Sequence, residues 1–254
     1  MAAVDPLHRA EHNAVNIGRS RAFRPVAPPI ITLPIGDRDI VRAAFAWNLA
    51  VEVARLGGNA TLIAPDNPAE SPLWPSEDRG PLGAELALVQ AKSLGELERA
   101  ASDIAASRTA KCADGGVVLV RVPPEWIAHS SDGRELLRWV LLFASPESQD
   151  LREAYKLAKG IIQAGHPTRI GVTIHGARHI GDAERAFGRI SRSALRHLRH
   201  SLVSYGLLVD DLHIYRAIVA QRPIGLEHPQ SRAARALRDV ARLLLDDALN
   251  HRDG

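Results

Sequence analysis

The chain has 254 residues, of which 46% are hydrophobic and 4% aromatic, and its formal net charge of +3 does not by itself indicate a partner. This length and this apolar content suit one compact α/β domain whose core is mostly Ala, Leu, Val and Ile. The single cysteine, Cys112, excludes an intrachain disulfide, and no apolar run is long enough for a membrane span or a signal-peptide core, so we expect a cytoplasmic protein.

The first 28 residues are polar. They contain His8, His12 and four arginines, and prolines follow near their end. This composition is typical of a flexible, solvated tail, which we place at 1–28. The pattern that follows predicts a single α/β domain at 29–250, without internal repeats.

Residues 30–67 have the pattern of a strand, a helix and a second strand. Ile30 to Pro34 and Ala60 to Ala64 are apolar runs of strand length. Between them, apolar residues recur at helical spacing up to Gly57, which predicts a helix over 40–56 with a glycine C-cap. The order is typical of the βαβ unit that opens a parallel sheet.

The next segment predicts a loop and then two helices. Residues 67–83 are rich in Pro, Glu and Ser, which indicates a surface loop. The patterns at 85–92 and 93–106 each predict a helix. Ser93, with Glu96 three residues later, fits a capping box at the start of the second one.

The second half of the chain alternates apolar runs with amphipathic segments. The apolar runs predict strands at 117–120, 140–144, 169–174 and 205–211. The amphipathic segments predict helices at 150–159, 182–201 and 231–249. The last helix has an apolar face from Leu237 to Leu245 that should pack on the sheet, and 250–254 has none, so we expect no stable membrane anchor.

Several short motifs in this order resemble the MinD/ParA family of deviant Walker ATPases. Asn48-Leu49-Ala50 resembles its N-L-A, Arg121-Val122-Pro123-Pro124 its D-T-P-P, and Ser145-Pro146-Glu147 the end of its V-T-T-P-E. The last sixty residues favour the branch of flagellar-number regulators. The resemblance covers Ile30 to Leu245. It implies a P-loop NTPase fold of the SIMIBI class, a doubly wound and mainly parallel sheet flanked by helices.

The phosphate loop of that family is altered here. The family loop is K-G-G-V-G-K-T-T, and its last lysine lies six residues before the Asn of N-L-A. In that frame the last lysine corresponds to Arg42, a glycine to Val41, the magnesium-binding hydroxyl to Ala43 and the signature lysine to Asp37. A phosphate cradle needs glycines and a hydroxyl, so the resemblance implies a degenerate loop.

Other positions of the nucleotide site are altered as well. Arg121 stands where the Walker B aspartate would support magnesium, and His175 stands where the family often has an adenine-contacting Asn. The degenerate nucleotide site therefore comprises Gly36, Asp37, Arg38, Arg42, Ala43, Asp66, Arg121 and His175. We expect no catalytic residue, no metal and no cofactor. ATP with magnesium is disfavoured, and an atypical nucleotide binder using Arg38 and Arg42 is the alternative.

One helix carries a concentrated basic stripe. Its members step by 4, 3, 4 and 3 residues and are Arg185, Arg189, Arg192, Arg196 and Arg199. No carboxylate falls between Arg185 and His200. An ordinary solvated face is one interpretation, and a polyanion site for DNA, an acidic protein or a lipid surface is the other. His197 and His200 lack a third ligand at suitable spacing, which argues against a metal site.

The sequence thus favours a pseudo-ATPase with a regulatory or scaffolding role in cellular positioning or motility, acting through protein contacts. The partner would be another protein or a second copy of the chain, since relatives form dimers across the nucleotide. Two alternatives remain open at this point. One is an atypical ATPase of the same family, and the other is a non-specific DNA or polyanion binder.

Overall fold

The structure is a computed structural model, and it describes residues 27–66, 80–110, 115–129, 132–165, 167 and 169–250. Its strands are β1 Ile30–Pro34, β2 Asn59–Pro65, β3 Glu85–Val89, β4 Gly116–Val122, β5 Trp139–Ala144, β6 Arg169–Ala177 and β7 Val203–Val209. Its helices are α1 Ile40–Arg55, α2 Leu94–Arg108, α3 Pro124–His129, α4 Ser148–Gly165, α5 Ile180–Leu198, α6 Leu212–Val219, α7 Ile224–Glu227 and α8 Arg232–Asn250. Short 3-10 turns lie at Pro81–Gly83 and Arg134–Leu137.

The described strands form a seven-stranded sheet in the order β3-β2-β4-β1-β5-β6-β7, and every pair is parallel. Helices cover both faces. Leu49 of α1 and Leu244 of α8 belong to the apolar cluster on one face, and Leu97, Ile161 and Ile190 of α2, α4 and α5 belong to the cluster on the other. Since both faces are covered, the central strands β1, β4 and β5 are mostly apolar, with Thr32 and Arg121 as buried exceptions. The predicted doubly wound parallel fold is confirmed.

Helix capping follows the sequence closely. The Asp39 carboxylate accepts a hydrogen bond from the amide of Arg42 and starts α1, and Gly57 follows that helix with a φ of 90°. Ser93 and Ser231 accept from the amides three residues ahead, at the starts of α2 and α8. The predicted serine caps are confirmed. The reciprocal bond of the predicted capping box differs, since the Glu96 carboxylate accepts from the amide of Lys92 instead of that of Ser93.

Residues 85–92 do not form the predicted helix. Glu85–Val89 is an edge strand that pairs with β2, with Thr61 opposite Glu85 and Pro65 opposite Val89. Leu86 faces one apolar cluster while Ala87 faces the other. The segment is short, and its apolar residues fit a half-buried edge strand as well as a helical turn. Pairing with β2 decides between them.

The long basic helix is also shorter than predicted at its C-terminus. It ends at Leu198, and Arg199 has a left-handed φ of 53°. The amides of Arg199 and His200 both donate to the Ala194 carbonyl, which closes the helix. Leu202 then packs into the core. Arg199 therefore lies outside the helical stripe, and His200 lies outside the helix.

Two further predictions concern residues that the structure describes only in part. The predicted tail lies outside the described residues except at its end, where Pro28 is buried and the Pro29 carbonyl accepts from the amide of Val118. Most of the predicted loop at 67–83 is likewise outside them.

Leu237 and Leu244 of α8 are buried against the sheet, as predicted. Within the described part of the chain, no helix has both the length and the apolarity that crossing a bilayer requires.

A buried polar contact fixes β6, β7 and α8 together. Tyr205 is 1% exposed, and its hydroxyl donates to the Asp247 carboxylate at 2.6 Å. Arg169 forms an ion pair with the same carboxylate. The ring of Tyr205 passes directly over Gly171, where an added Cβ would lie 2.2 Å from a ring carbon. Because the ring is held at its hydroxyl, it cannot move aside easily.

We predict that Gly171→Ala destabilises the fold by roughly 2 kcal/mol, because overpacking of a well-packed core costs about that much. Urea unfolding measured by circular dichroism tests this. Gly160→Ala on α4 is the matched control, since nothing lies within 4 Å of its added Cβ. The control should be neutral or slightly stabilising, because alanine is the better helix former. Equal stability of the two variants would contradict the packing argument.

Candidate functional site

The candidate site lies at the carboxyl edge of the sheet, where the loop between β1 and α1 turns. The amide of Ile35 still donates to the Val122 carbonyl of β4, so the loop proper is confined to Gly36–Asp39. Helix α1 begins at Ile40. Arg42 and Ala43 are therefore in the first turns of a helix. This is the place where open α/β sheets bind ligands.

Three backbone amides at the end of this loop and the start of α1 already have acceptors within the chain. The amide of Asp39 donates to the Gly36 carbonyl at 3.1 Å, and that of Ile40 donates to the Arg38 carbonyl at 3.1 Å. The amide of Arg42 donates to the Asp39 carboxylate at 3.0 Å. A phosphate cradle works through amides that point at the ligand. At these three positions the amides serve the loop and the helix cap.

Arg121 is paired with the loop. Its side chain is 1% exposed within β4, and its guanidinium lies 2.5 Å from the Asp37 carboxylate. A buried charge is tolerated when an opposite charge and hydrogen bonds compensate its desolvation. The charges of Asp37 and Arg121 thus compensate each other.

Arg42 is held by three side chains from three elements. Its guanidinium lies 3.1 Å from the Asp39 carboxylate and forms an ion pair with Asp150 of α4. Its Nε donates to the Nε2 of His175 in β6 at 3.4 Å. Asp150 also accepts from the amide of Ser145 at 2.6 Å. We call Arg42, Asp39, Asp150 and His175 the Arg42 network.

The same contacts set the pKa values of two members of the network. Burial alone would raise the pKa of Asp150, but the hydrogen bond and charge of Arg42, with the hydrogen bond from Ser145, lower it below its ordinary value. Burial lowers the pKa of His175, and the charge of Arg42 lowers it further against the nearby carboxylates. Near neutral pH the network holds an ionised Asp150 and a neutral His175, whose Nε2 can accept the hydrogen bond from Arg42 Nε.

The structure distributes the predicted site residues unevenly. Gly36 and Arg38 line the same surface cavity as Asp37 and Arg42, while the side chain of Ala43 is buried in the core. Asp66 follows β2, two strands away from β1, and accepts a hydrogen bond from Gln90. Asp39 and Asp150 are not among the predicted site residues, and no local sequence pattern joins Asp150 to Arg42.

Asn48, the first residue of the N-L-A motif, has a structural role here. Its amide oxygen accepts from the amide of Ile224 at 2.7 Å, and its amide nitrogen donates to the Ala44 carbonyl. The side chain is 8% exposed and joins α1 to α7. The motif thus anchors the helix behind the loop.

The basic face of α5 is exposed at all four of its helical positions, which are Arg185, Arg189, Arg192 and Arg196. Arg185 forms an ion pair with Asp182 at 2.5 Å, and Arg189 donates to the Pro146 carbonyl at 2.9 Å. Arg189, Arg192 and Arg196 have no carboxylate partner among the described residues. The predicted stripe therefore consists of four arginines on one helical face, three of them without an ion pair in the described part of the chain.

No protein-family model and no curated protein sequence matches the chain. Its fold does match solved structures. The MinD cell division protein of Aquifex aeolicus is 16% identical, with 86% of this chain and 97% of that chain covered and a TM-score of 0.62. The MinC:MinD cell division protein complex of the same organism matches at 14% identity, 86% and 96% coverage and a TM-score of 0.60. A ParA family ATPase of Chlorobium tepidum matches at 12% identity, 86% and 99% coverage and a TM-score of 0.59. At these identities the likeness shows a shared fold.

We predict that Asp150→Asn lowers the stability of the protein near neutral pH by roughly 2 kcal/mol, because it removes a charged hydrogen bond from Arg42. The pKa of Asp150 is depressed in the folded state, so its contribution is present above the ordinary value of 3.8 and is lost as pH falls below it. The gap between wild type and variant should therefore close in acid.

Urea unfolding at a series of pH values measures this gap. The control is Glu153→Gln, on the exposed side of the same helix. Among the described residues, the Glu153 carboxylate accepts one hydrogen bond, from the Gln149 side-chain amide. That variant should differ little from wild type. A gap for Asp150→Asn that is constant with pH would contradict the role given to the ionised carboxylate.

Proposed function

We propose that the chain is a non-hydrolytic relative of the MinD/ParA ATPases, with a regulatory or scaffolding role in cellular positioning or motility through protein contacts. One observation carries the proposal. Two cationic groups at the former phosphate loop are neutralised within the chain, Arg121 by Asp37 and Arg42 by Asp39 and Asp150. The third, Arg38, is exposed and has no ion pair among the described residues. A triphosphate would have to compete with these carboxylates.

That competition is unfavourable on physical grounds. For a phosphate to take Arg42, Asp150 would lose its cationic partner while its side chain is 16% exposed, although it would keep the hydrogen bond from the Ser145 amide. Removing a charged partner from a poorly solvated carboxylate costs about 1–3 kcal/mol. Asp37 and Asp39 would also face the phosphates with like charge. Two effects therefore disfavour triphosphate binding. Asp150 loses its ion pair with Arg42, and the loop carboxylates repel the phosphates.

Magnesium support is missing from the same positions. The side chain that corresponds to the metal-binding hydroxyl is the methyl group of Ala43, 4% exposed and packed in the core. The side chain that corresponds to the Walker B carboxylate is the guanidinium of Arg121. A cation at that position repels magnesium, and the phosphoryl-transfer reaction depends on the metal. These residues do not fit a magnesium nucleotide.

Two features support a role in protein contacts. One of the solved structures of this fold is a complex of MinD with MinC, so the fold is compatible with a protein partner. Helix α6 also exposes Leu212, Tyr215 and Val219 on one face, at 61%, 49% and 72%. Neighbouring exposed apolar residues are typical of interaction surfaces. A second copy of the chain, if it is the partner, would be held by protein contacts alone.

We predict that the purified chain hydrolyses ATP no faster than buffer and binds a fluorescent ATP analogue no better with magnesium than without it. Phosphate release and fluorescence anisotropy measure the two quantities. Arg42→Ala is the decisive comparison, since it removes the one cation aligned with the family lysine. Magnesium-dependent turnover that disappears in this variant would contradict the proposal and favour an atypical ATPase.

A second candidate function is non-specific binding to a polyanion, of which DNA is the nearest example. It is favoured by Arg189, Arg192 and Arg196, which are exposed and have no carboxylate partner among the described residues. Exposed arginines on one helical face can contact successive phosphates of one backbone. The attraction then arises mainly from release of counterions, and it carries little sequence preference.

We predict that duplex DNA, if bound, shows a log–log salt slope of roughly −3, as for three neutralised phosphates. Replacing Arg189, Arg192 and Arg196 by Ala should flatten the slope equally for unrelated DNA sequences and leave the melting temperature unchanged. Filter retention at several salt concentrations measures the slope.

The matched control replaces three exposed arginines of α8, on the opposite face of the sheet. It comprises Arg232→Ala, Arg235→Ala and Arg242→Ala. This control changes the net charge equally and should keep the slope. Equal loss in both variants would indicate a net-charge effect. A marked fall in melting temperature of the α5 variant would indicate that its arginines are structural.

A further inference from the structure

A cleft of about 340 Å³ lies between α4 and α5, on the face of the sheet that also carries α2. Its lining residues are Ser148, Leu151, Arg152, Tyr155, Arg189 and Ile190, with Ser193 and His197 at one end. Leu151 and Ile190 form the floor, and they are 7% and 3% exposed. Small-molecule sites are typically concave and apolar at the base, and this volume is at the lower end of their range.

The rim of the cleft is polar and basic. It carries the guanidinium groups of Arg152 and Arg189, the imidazole of His197, and the hydroxyls of two serines and Tyr155. None of the described residues that line it is an aspartate or a glutamate. This distribution differs from that of the Arg42 network, where every guanidinium is matched by a carboxylate.

The two guanidinium groups keep most of their donors available. Arg152 donates to the Gln149 side chain at 3.0 Å, and Arg189 donates to the Pro146 carbonyl at 2.9 Å. Neither forms an ion pair within the described part of the chain. Gln149 also donates to Glu153 at 2.6 Å, so a neutral amide stands between Arg152 and the acidic neighbour on its helix. An arginine has five donors, and each of these contacts uses one nitrogen.

We infer that this cleft binds a phosphate monoester whose organic group is flat and apolar. A phosphate group offers three strong acceptor oxygens, and two guanidinium groups with neighbouring hydroxyls supply matching donors. The organic group would lie on Leu151 and Ile190 beside the ring of Tyr155. The inference goes beyond the proposed function, because the cleft contains none of the residues of the degenerate nucleotide site.

The cleft also differs from the polyanion surface of α5. Arg192 and Arg196 are exposed on that surface, and neither lines the cleft. Arg189 belongs to both. A small phosphate ester and an extended polyanion therefore require different sets of arginines, and variants can separate them.

The test is calorimetric titration of the full chain with phenyl phosphate, inorganic phosphate and phenol. Phenyl phosphate should bind saturably and about tenfold more tightly than either fragment, because it engages the rim and the floor together. Inorganic phosphate that binds as tightly as phenyl phosphate would overturn the inference, since the floor would then contribute nothing. Absence of saturable binding of phenyl phosphate would overturn it too.

Variants assign the binding to the cleft. Arg152→Gln with Arg189→Gln should weaken phenyl phosphate binding by at least about tenfold. Arg192→Gln with Arg196→Gln changes the charge equally on the neighbouring surface and should leave binding within about twofold. Equal weakening in the two double variants, or none in the first, would overturn the assignment. Ser193→Leu blocks the cleft without changing the net charge, and it should also abolish phenyl phosphate binding. This variant tests the assignment if the Arg152→Gln and Arg189→Gln variant does not fold.

The same variants keep the proposals apart. The variant carrying Arg192→Gln and Arg196→Gln should weaken DNA retention and flatten its salt slope while it keeps phenyl phosphate binding. ATP turnover by the wild-type chain would contradict the proposed pseudo-ATPase and leave the cleft titration unaffected.

Discussion

The carboxyl edge of the sheet depends on the burial of one guanidinium group. Arg121 lies in β4, at the centre of the sheet, with 1% of its surface exposed. A charge in that position requires an opposite charge nearby, and Asp37 in the loop after β1 supplies it. The loop can then close on itself, with its amides bonded to Gly36, Arg38 and the Asp39 cap. One buried cation thus accounts for the acidic residue Asp37 in the loop after β1.

The Arg42 network extends this compensation across the sheet edge. Arg42 belongs to α1, which follows β1. Its side chain contacts Asp150 in α4, which follows β5, and His175 near the end of β6. This connection is intramolecular, and we expect this edge to keep one arrangement. Breaking it requires a carboxylate or a guanidinium to lose its partner at low exposure.

Local patterns predicted most of the fold, and long-range pairing explains where they failed. The apolar runs at β1, β4 and β5 are strong because both faces of those strands are covered, whereas 85–89 is an edge strand whose identity depends on β2. Arg199 continued the 4-3 spacing, but spacing does not reveal where the helix closes. In the site, motif alignment located Asp37, Arg42 and Arg121 individually. Their partners could not be predicted, because Asp150 is 108 residues from Arg42 and no local pattern joins them.

If the contacts of the loop Gly36–Asp39 and of the Arg42 network are permanent, a regulatory ligand has to bind at another surface of the protein. In an ATPase, two states differ in the contacts made to the nucleotide, and partners distinguish those states. If the contacts are permanent, no nucleotide supplies a differential free energy, and a change of state must come from a ligand that binds elsewhere. The described surface offers two such places away from the loop: the apolar face of α6, and the basic face of α5 with its neighbouring cleft. The exposed residues of the first are apolar, whereas the second is rich in arginine and its cleft is lined by no described carboxylate, so the two surfaces suit chemically different ligands. Binding at either would bias the protein only as far as its affinity differs between two conformations of that surface.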